Sequence, residues 1–150
     1  MLLVPRRKQE SDVTCLPTCV WAVLTFEGFD VSYQDVREAC RMDQRGSVLE
    51  LAIQGLSEAG WDVEFAQSLD SQSIAEQLSE ERPLIAVIGE RSLRERRLAH
   101  AVVICELKED QLVVMDPAVG EYVIVPMQRD GDILPEYRGG FFIGQACREV

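Results

Sequence analysis

Helical periodicity dominates the first half of the chain and apolar runs of strand length dominate the second, an order that predicts an α+β domain. Two observations carry this reading. Up to residue 79, apolar residues recur at three- and four-residue spacing behind Ser, Thr and Asp positions that can cap helices. From Pro83 onward the pattern changes to short runs rich in Val, Ile, Leu and Phe, separated by charged or Gly-containing turns.

Each element follows from its own residues. Residues 1–8 read as an entering strand or arm, Leu2-Leu3-Val4 and then Pro5 and three cations, Arg6, Arg7 and Lys8, whose charges are expected to be solvated. Thr14 or Cys15 caps a helix in which Pro17 suits the first turn, where a missing N–H costs nothing. Val20, Val23, Leu24 and Glu27 follow at helical spacing and Gly28 stops the run. Ser32 caps a short helix through Cys40, with Val36, Ala39 and Cys40 inward, which completes a helical hairpin. After the break Gln44-Arg45-Gly46, Ser47 and Glu50 have capping-box spacing ahead of Val48, Leu49, Leu51, Ala52, Ile53, Leu56 and Ala59, and Gly60 ends this third helix. Residues 61–66 alternate as a strand, and 70–79 form a fourth helix with Ile74, Ala75 and Leu78 inside. Strands are expected at 84–88, 99–105, 112–115, 122–125 and 140–143. The charged stretch 89–98 reads either as an exposed loop or as a flap whose arginines meet an acidic substrate.

With 150 residues and no repeat, linker or low-complexity stretch, residues 1–150 are expected to form a single domain. The net charge of −11 opposes nucleic-acid binding, because phosphate neutralisation needs a surplus of Lys and Arg. No apolar run approaches the roughly 18 residues that span a bilayer, and the basic cluster follows rather than precedes the first apolar residues, unlike a signal peptide. Five cysteines, an odd number without the close spacing of a disulfide scaffold, fit a reducing compartment, the cytoplasm. Cys15 and Cys19 lack a second close-set pair and the only histidine is His100, so no metal and no cofactor are expected.

Chemistry concentrates on a cysteine at a helix start. First-turn amides have no intrahelical partners and, with the helix dipole, favour a thiolate beside them. Cys15 is therefore either a nucleophile or one more buried cysteine; Cys19, a turn further on, lacks those amides and is expected to pack inside. Gln9, six residues upstream of Cys15, carries an amide able to donate to an oxyanion, or is a surface residue. His100 opens an apolar strand and shares a face with Val102 and Ile104, so its imidazole sits at the strand's end, as a core histidine or as the proton acceptor a thiol nucleophile needs. Asp116 ends the following strand, a hairpin away. It either starts the turn Asp116-Pro117 or orients the imidazole.

The order Gln, Cys, His, Asp is where a family becomes recognisable. In Gln9-x5-Cys15, in Val36-Arg37-Glu38-Ala39-Cys40 leading to Gly46-Ser47, in Ala99-His100-Ala101-Val102-Val103 and in Asp116-Pro117-Ala118-Val119-Gly120, the chain resembles the papain-like cysteine peptidases that trim double-glycine leader peptides from bacteriocins and related secreted peptides. The resemblance implies a papain-like fold, a helical N-terminal half packed on a C-terminal antiparallel sheet. It implies Cys15 as nucleophile, His100 as general base and acid, Asp116 as orienter and Gln9 as oxyanion donor. It also implies a peptide or protein substrate, such as a double-glycine leader, and a transporter or other activating partner. Two departures stand out: Leu16 follows the cysteine where the family usually has glycine, and Thr14 precedes it where Asp or Glu is frequent. Many members head an ATP-binding exporter, whereas this chain has no span or nucleotide motif and reads as a free-standing relative or an excised domain. The alternatives are a peptidase-like module that binds a leader or partner peptide without cutting it, and an acyl-transfer or effector enzyme using the same thioester.

Overall fold

The structure is a computed structural model that describes residues 1–43, 46–89 and 99–145. Most of the charged stretch 89–98, the break at 44–45 and Cys147 lie outside the described residues. In chain order the elements are α1 (Cys15–Phe26), α2 (Tyr33–Ala39), α3 (Leu49–Glu58), β1 (Trp61–Ala66), α4 (Ser71–Ser79), β2 (Leu84–Gly89), β3 (Ala99–Lys108), β4 (Gln111–Asp116), β5 (Glu121–Pro126) and β6 (Tyr137–Gln145). The expected α+β arrangement is present. Among the described residues no helix is long and apolar enough to cross a membrane.

The strands form one antiparallel sheet in the order β1-β6-β2-β3-β4-β5. The last strand is inserted between β1 and β2, with Val63 opposite Ile143 and Ile85 opposite Phe141. Gly140 permits this approach, since a Cβ there would fall 2.3 Å from the Ile85 carbonyl oxygen.

Strand alternation divides the core in two. Val87, Ala101, Val103, Cys105 and Met115 face Val20, Val23 and Leu24 of α1 and Leu56 of α3. On the other face Ala86, Val102, Ile104 and Val114 meet Ile74 of α4, Leu69, Ile133 and Leu134. Helices α1 to α3 thus cover one face of the sheet while α4 lies on the other. Each fully buried Val, Leu or Ile contributes about 1.5–3 kcal/mol, so both layers fix the sheet.

Ser32 and Asp70 cap α2 and α4, their oxygens accepting from the amides of Asp35 at 3.1 Å and Ser73 at 2.8 Å. Gly28, at φ +93°, ends α1. The expected Ser47–Glu50 capping box does not form. Val48 is the N-cap and the Ser47 hydroxyl is buried without a hydrogen-bond partner, because the chain before α3 turns through an Asp43–Gly46 bridge and packs Gly46 against Val13. The inward stripe of α3 is also narrower than expected: Ala52, Gly55 and Leu56 are buried, whereas Val48 and Leu51 are exposed. At Gly55 an added Cβ would lie 1.9 Å from the Ala39 carbonyl oxygen, so α3 can approach the end of α2 only through glycine.

Residues 1–9 form a strap rather than a strand. The Leu2 amide donates to Cys105 O (3.1 Å), the Tyr122 hydroxyl to Val4 O (2.6 Å) and the Gln9 amide to Pro117 O (2.8 Å). The cations of this arm are not merely solvated: Arg6 pairs with Glu121 at 2.8 Å, and the Arg7 guanidinium lies 4.4 Å over the Trp21 ring. The strap delivers the chain to the start of α1 beside the turn that follows β4.

Candidate active site

Cys15 is the first residue of α1, with Thr14 as N-cap. The Thr14 hydroxyl does not cap the helix; it folds back to accept from the Ser11 amide at 3.0 Å and to donate to the Ser11 carbonyl at 3.1 Å. Pro17 has no N–H. The amides of Cys15 and Leu16 are therefore the first-turn donors that no side-chain cap satisfies, and they sit at the positive end of the helix dipole. The Cys15 sulfur lies 4.0 Å from the carbonyl oxygen of Ala99, where β3 begins.

His100, the second residue of β3, shares a sheet face with Val102; Asp116, the last residue of β4, shares it with Val114. This common face brings the two together, and His100 Nε2 lies 2.6 Å from Asp116 Oδ1. The carboxylate also starts the turn, because Oδ1 accepts from the Ala118 amide at 2.9 Å. Asp116 therefore both starts the turn and contacts the imidazole. Cys15, at the start of α1, also helps to hold the ring in its charged form.

Burial of His100 disfavours its charged form. Hydrogen bonding of the ring to Asp116 and Cys15, and then the charges of both, outweigh this and push its pKa from 6.5 up to about 10. Burial raises Asp116, but the hydrogen bond to His100, the Ala118 amide and the charge of His100 hold it below the usual carboxylate range. The other described thiols are set apart by burial. It drives Cys19 well above its ordinary value, with the charge of Cys15 adding to the effect, and pushes Cys40 and Cys105 up to about 12.

Gln9 is tied to the site by its backbone, through the bond to Pro117, the residue after Asp116. Its side-chain amide donates to the Ser11 carbonyl at 2.8 Å while Oε1 is buried without a partner. One amide N–H is thus engaged within its own turn. Cys15, His100 and Asp116 form a direct chain of contacts, and Gln9 joins it through the turn.

Two hollows border these residues, one at Cys15 and one at His100 and Asp116. A cleft of about 380 Å³ opens on Cys15 between α1, α3 and the β2–β3 pair, lined by Val13, Leu16, Leu49, Val87, Ala101 and Arg138 among others. A second hollow, of about 560 Å³, runs over the opposite face of the sheet and is lined by His100, Asp116, Val102, Val114, Val125 and Leu134 among others. Val87, Ala101 and Arg138 were not singled out from the sequence. Val87 and Ala101 come from consecutive strands, Arg138 from β6, which joins them only through the sheet order, and no local signal marks the three as neighbours.

The sequence matches the peptidase C39 family over residues 4–128. No curated protein matches it significantly. Among solved structures, the chain is similar to the peptidase domain of Streptococcus ComA, a bi-functional ABC transporter involved in a quorum-sensing pathway, at 16% identity and a TM-score of 0.69, covering 93% of this chain and 97% of that one. It is similar to a double-glycine motif protease from an AMS/PCAT transporter, solved in complex with the leader peptide, at 17% identity and a TM-score of 0.67, covering 95% and 91%. A C39-like peptidase from Bacillus anthracis aligns at 12% identity and a TM-score of 0.71, covering 97% and 96%. These likenesses show a shared fold. The match from the N-terminal strap to just beyond β5 takes in the cysteine helix and both strands that carry His100 and Asp116, and by it this chain belongs to the peptidase C39 family.

Proposed function

We propose that the protein is a cysteine peptidase that hydrolyses a peptide bond through a thioester on Cys15. The observation that carries this reading is the imidazole of His100 held between Cys15 and the Asp116 carboxylate, 2.6 Å away, with its pKa pushed up to about 10. His100 takes the thiol proton of Cys15 as the sulfur attacks. The sulfur adds to the substrate carbonyl carbon, and the resulting oxyanion takes hydrogen bonds from the Cys15 amide and the Gln9 side chain. The C–N bond breaks as His100 gives its proton to the leaving nitrogen. Water then adds to the thioester while His100 takes a proton from it, the C–S bond breaks, and the acid product leaves with the thiol restored. Asp116 stays ionised throughout and holds the ring in place.

The ComA and AMS/PCAT neighbours are transporter domains, and the second was solved with a leader peptide; by that likeness the substrate here is an extended peptide segment of a longer peptide or protein. Free thiols at Cys15, Cys19, Cys40 and Cys105 support a cytoplasmic setting. Mass spectrometry of candidate peptides incubated with wild type and with Cys15→Ala tests the proposal. Products are expected with the wild type alone; equal cleavage by Cys15→Ala overturns it.

A further inference from the structure

The turn that leads into α1 is held by one side chain. Thr14 is only 2% exposed, and its hydroxyl accepts from the Ser11 amide at 3.0 Å and donates to the Ser11 carbonyl at 3.1 Å. A Thr hydroxyl at an N-cap ordinarily accepts from an amide two or three residues further on; here it serves the residue three behind. The Thr14 amide donates to the same Ser11 carbonyl at 3.2 Å. The Thr14 carbonyl in turn accepts from the amide and the hydroxyl of Thr18, at 3.2 and 2.7 Å. Thr14 thus clamps the turn 11–14 onto the first turn of α1, directly before Cys15.

The oxygen that this clamp fixes is the one that holds Gln9. Gln9 Nε2 donates to the Ser11 carbonyl at 2.8 Å, while Oε1 is buried without a hydrogen-bond partner. A carbonyl is an acceptor only, so it admits the nitrogen end of the carboxamide and rejects the oxygen end. That nitrogen carries two donors; one is engaged by Ser11 and the second remains for another acceptor. The Gln9 backbone is anchored separately, by its amide on the Pro117 carbonyl at 2.8 Å.

We infer that Thr14 is a positioning residue for the oxyanion donor: its hydroxyl fixes the Ser11 carbonyl, which orients the Gln9 carboxamide and leaves its second N–H for the oxyanion. The inference rests on the peptidase reading above. Thr14 reaches the reaction only through Gln9.

The test uses a peptide that the wild type cleaves. It compares Thr14→Val, which keeps the shape and removes the hydroxyl, with Thr14→Ser, which keeps the hydroxyl. Thr14→Val is expected to lower kcat by about 10- to 100-fold with KM unchanged, the scale on which a slightly misplaced group costs rate. Thr14→Ser should recover most of that loss. In a Gln9→Ala background Thr14→Val should cost nothing further, because the group it positions is gone. An unchanged kcat in Thr14→Val, a Thr14→Ser as slow as Thr14→Val, or an equal loss in both backgrounds overturns the inference and leaves the peptidase reading standing. The wild type gives a check that needs no folded variant of Thr14. Of the two Nε2 protons of Gln9, identified in NMR spectra by their loss in Gln9→Ala, one should be displaced by its hydrogen bond from the position of a free carboxamide. Both protons at the free position overturn the inference. Absence of cleavage of any peptide by the wild type removes the peptidase reading and, with it, the oxyanion to be served.

Discussion

Replacing Asp116 with asparagine keeps the shape of the side chain and an oxygen for the turn, but removes the charge 2.6 Å from His100. The wild-type imidazole is held at about 10, against 6.5 for a free ring, by two contributions from Asp116 and two from Cys15 acting against burial. A hydrogen bond to a charged group contributes about 1.5–3 kcal/mol, and a pKa unit corresponds to about 1.36 kcal/mol. Asp116→Asn should therefore lower the imidazole pKa by about one to two units or more, since the lost Coulomb attraction adds to the lost bond. His100 is the only histidine in the chain, so its ring C2 proton gives a single NMR signal whose titration reads this directly. The same change orders the stability. The folded-state pKa of His100 is raised, so its stabilisation is complete below pH 6.5 and is lost as pH rises through about 10. That of Asp116 is lowered, so its share is present above pH 3.8 and is lost as pH falls through the depressed folded value. The gap in Tm between wild type and Asp116→Asn should be widest between pH 3.8 and 6.5 and close above about 10. A wild-type titration midpoint near 6.5, or the same midpoint in both proteins, refutes the reasoning.

Three further outcomes follow from the same structure. Gln9→Ala should reduce kcat by about 100- to 1000-fold with little change in KM, the usual effect of removing one oxyanion donor, as measured by steady-state kinetics on a cleaved peptide. Brief alkylation at neutral pH followed by peptide mapping should label Cys15 first, with Cys19, Cys40 and Cys105 reacting only after denaturation, because all three are buried with raised pKa values; preferential labelling of Cys19 would reverse the choice of nucleophile. Gly55→Ala places a Cβ 1.9 Å from the Ala39 carbonyl oxygen. It should cost about 1–3 kcal/mol by overpacking, seen as a lower urea midpoint with activity per folded molecule unchanged.

Much of this was legible because the determining signals are local. Ser32 and Asp70 cap the helices that follow them, and alternation from His100 through Val102 places the imidazole on the face that also carries Asp116 one hairpin later. The failures are tertiary. Ser47 has capping-box spacing with Glu50, but beside the Asp43–Gly46 bridge its hydroxyl is buried without a partner. Arg6 and Arg7 look like solvated charge until the strap sets them against Glu121 and Trp21. Nothing within residues 137–145 announces that β6 enters between β1 and β2, because pairing order is decided by which strands share apolar faces across the whole sheet. The site divides the same way. Cys15, His100 and Asp116 were visible as residue types at element ends, whereas the walls contributed by Val87, Ala101 and Arg138 depend on that strand order.

The bond from the Gln9 amide to the Pro117 carbonyl makes the N-terminal strap and the turn after Asp116 mechanically one. Gly120, with φ at +69° and a Cβ position only 3.0 Å from Lys8 Cβ, lets the strap cross this turn without obstruction. Peeling residues 2–8 from the sheet would therefore loosen Gln9 and the turn after Asp116 in a single movement. Inactivation by that route would leave every reacting atom chemically intact.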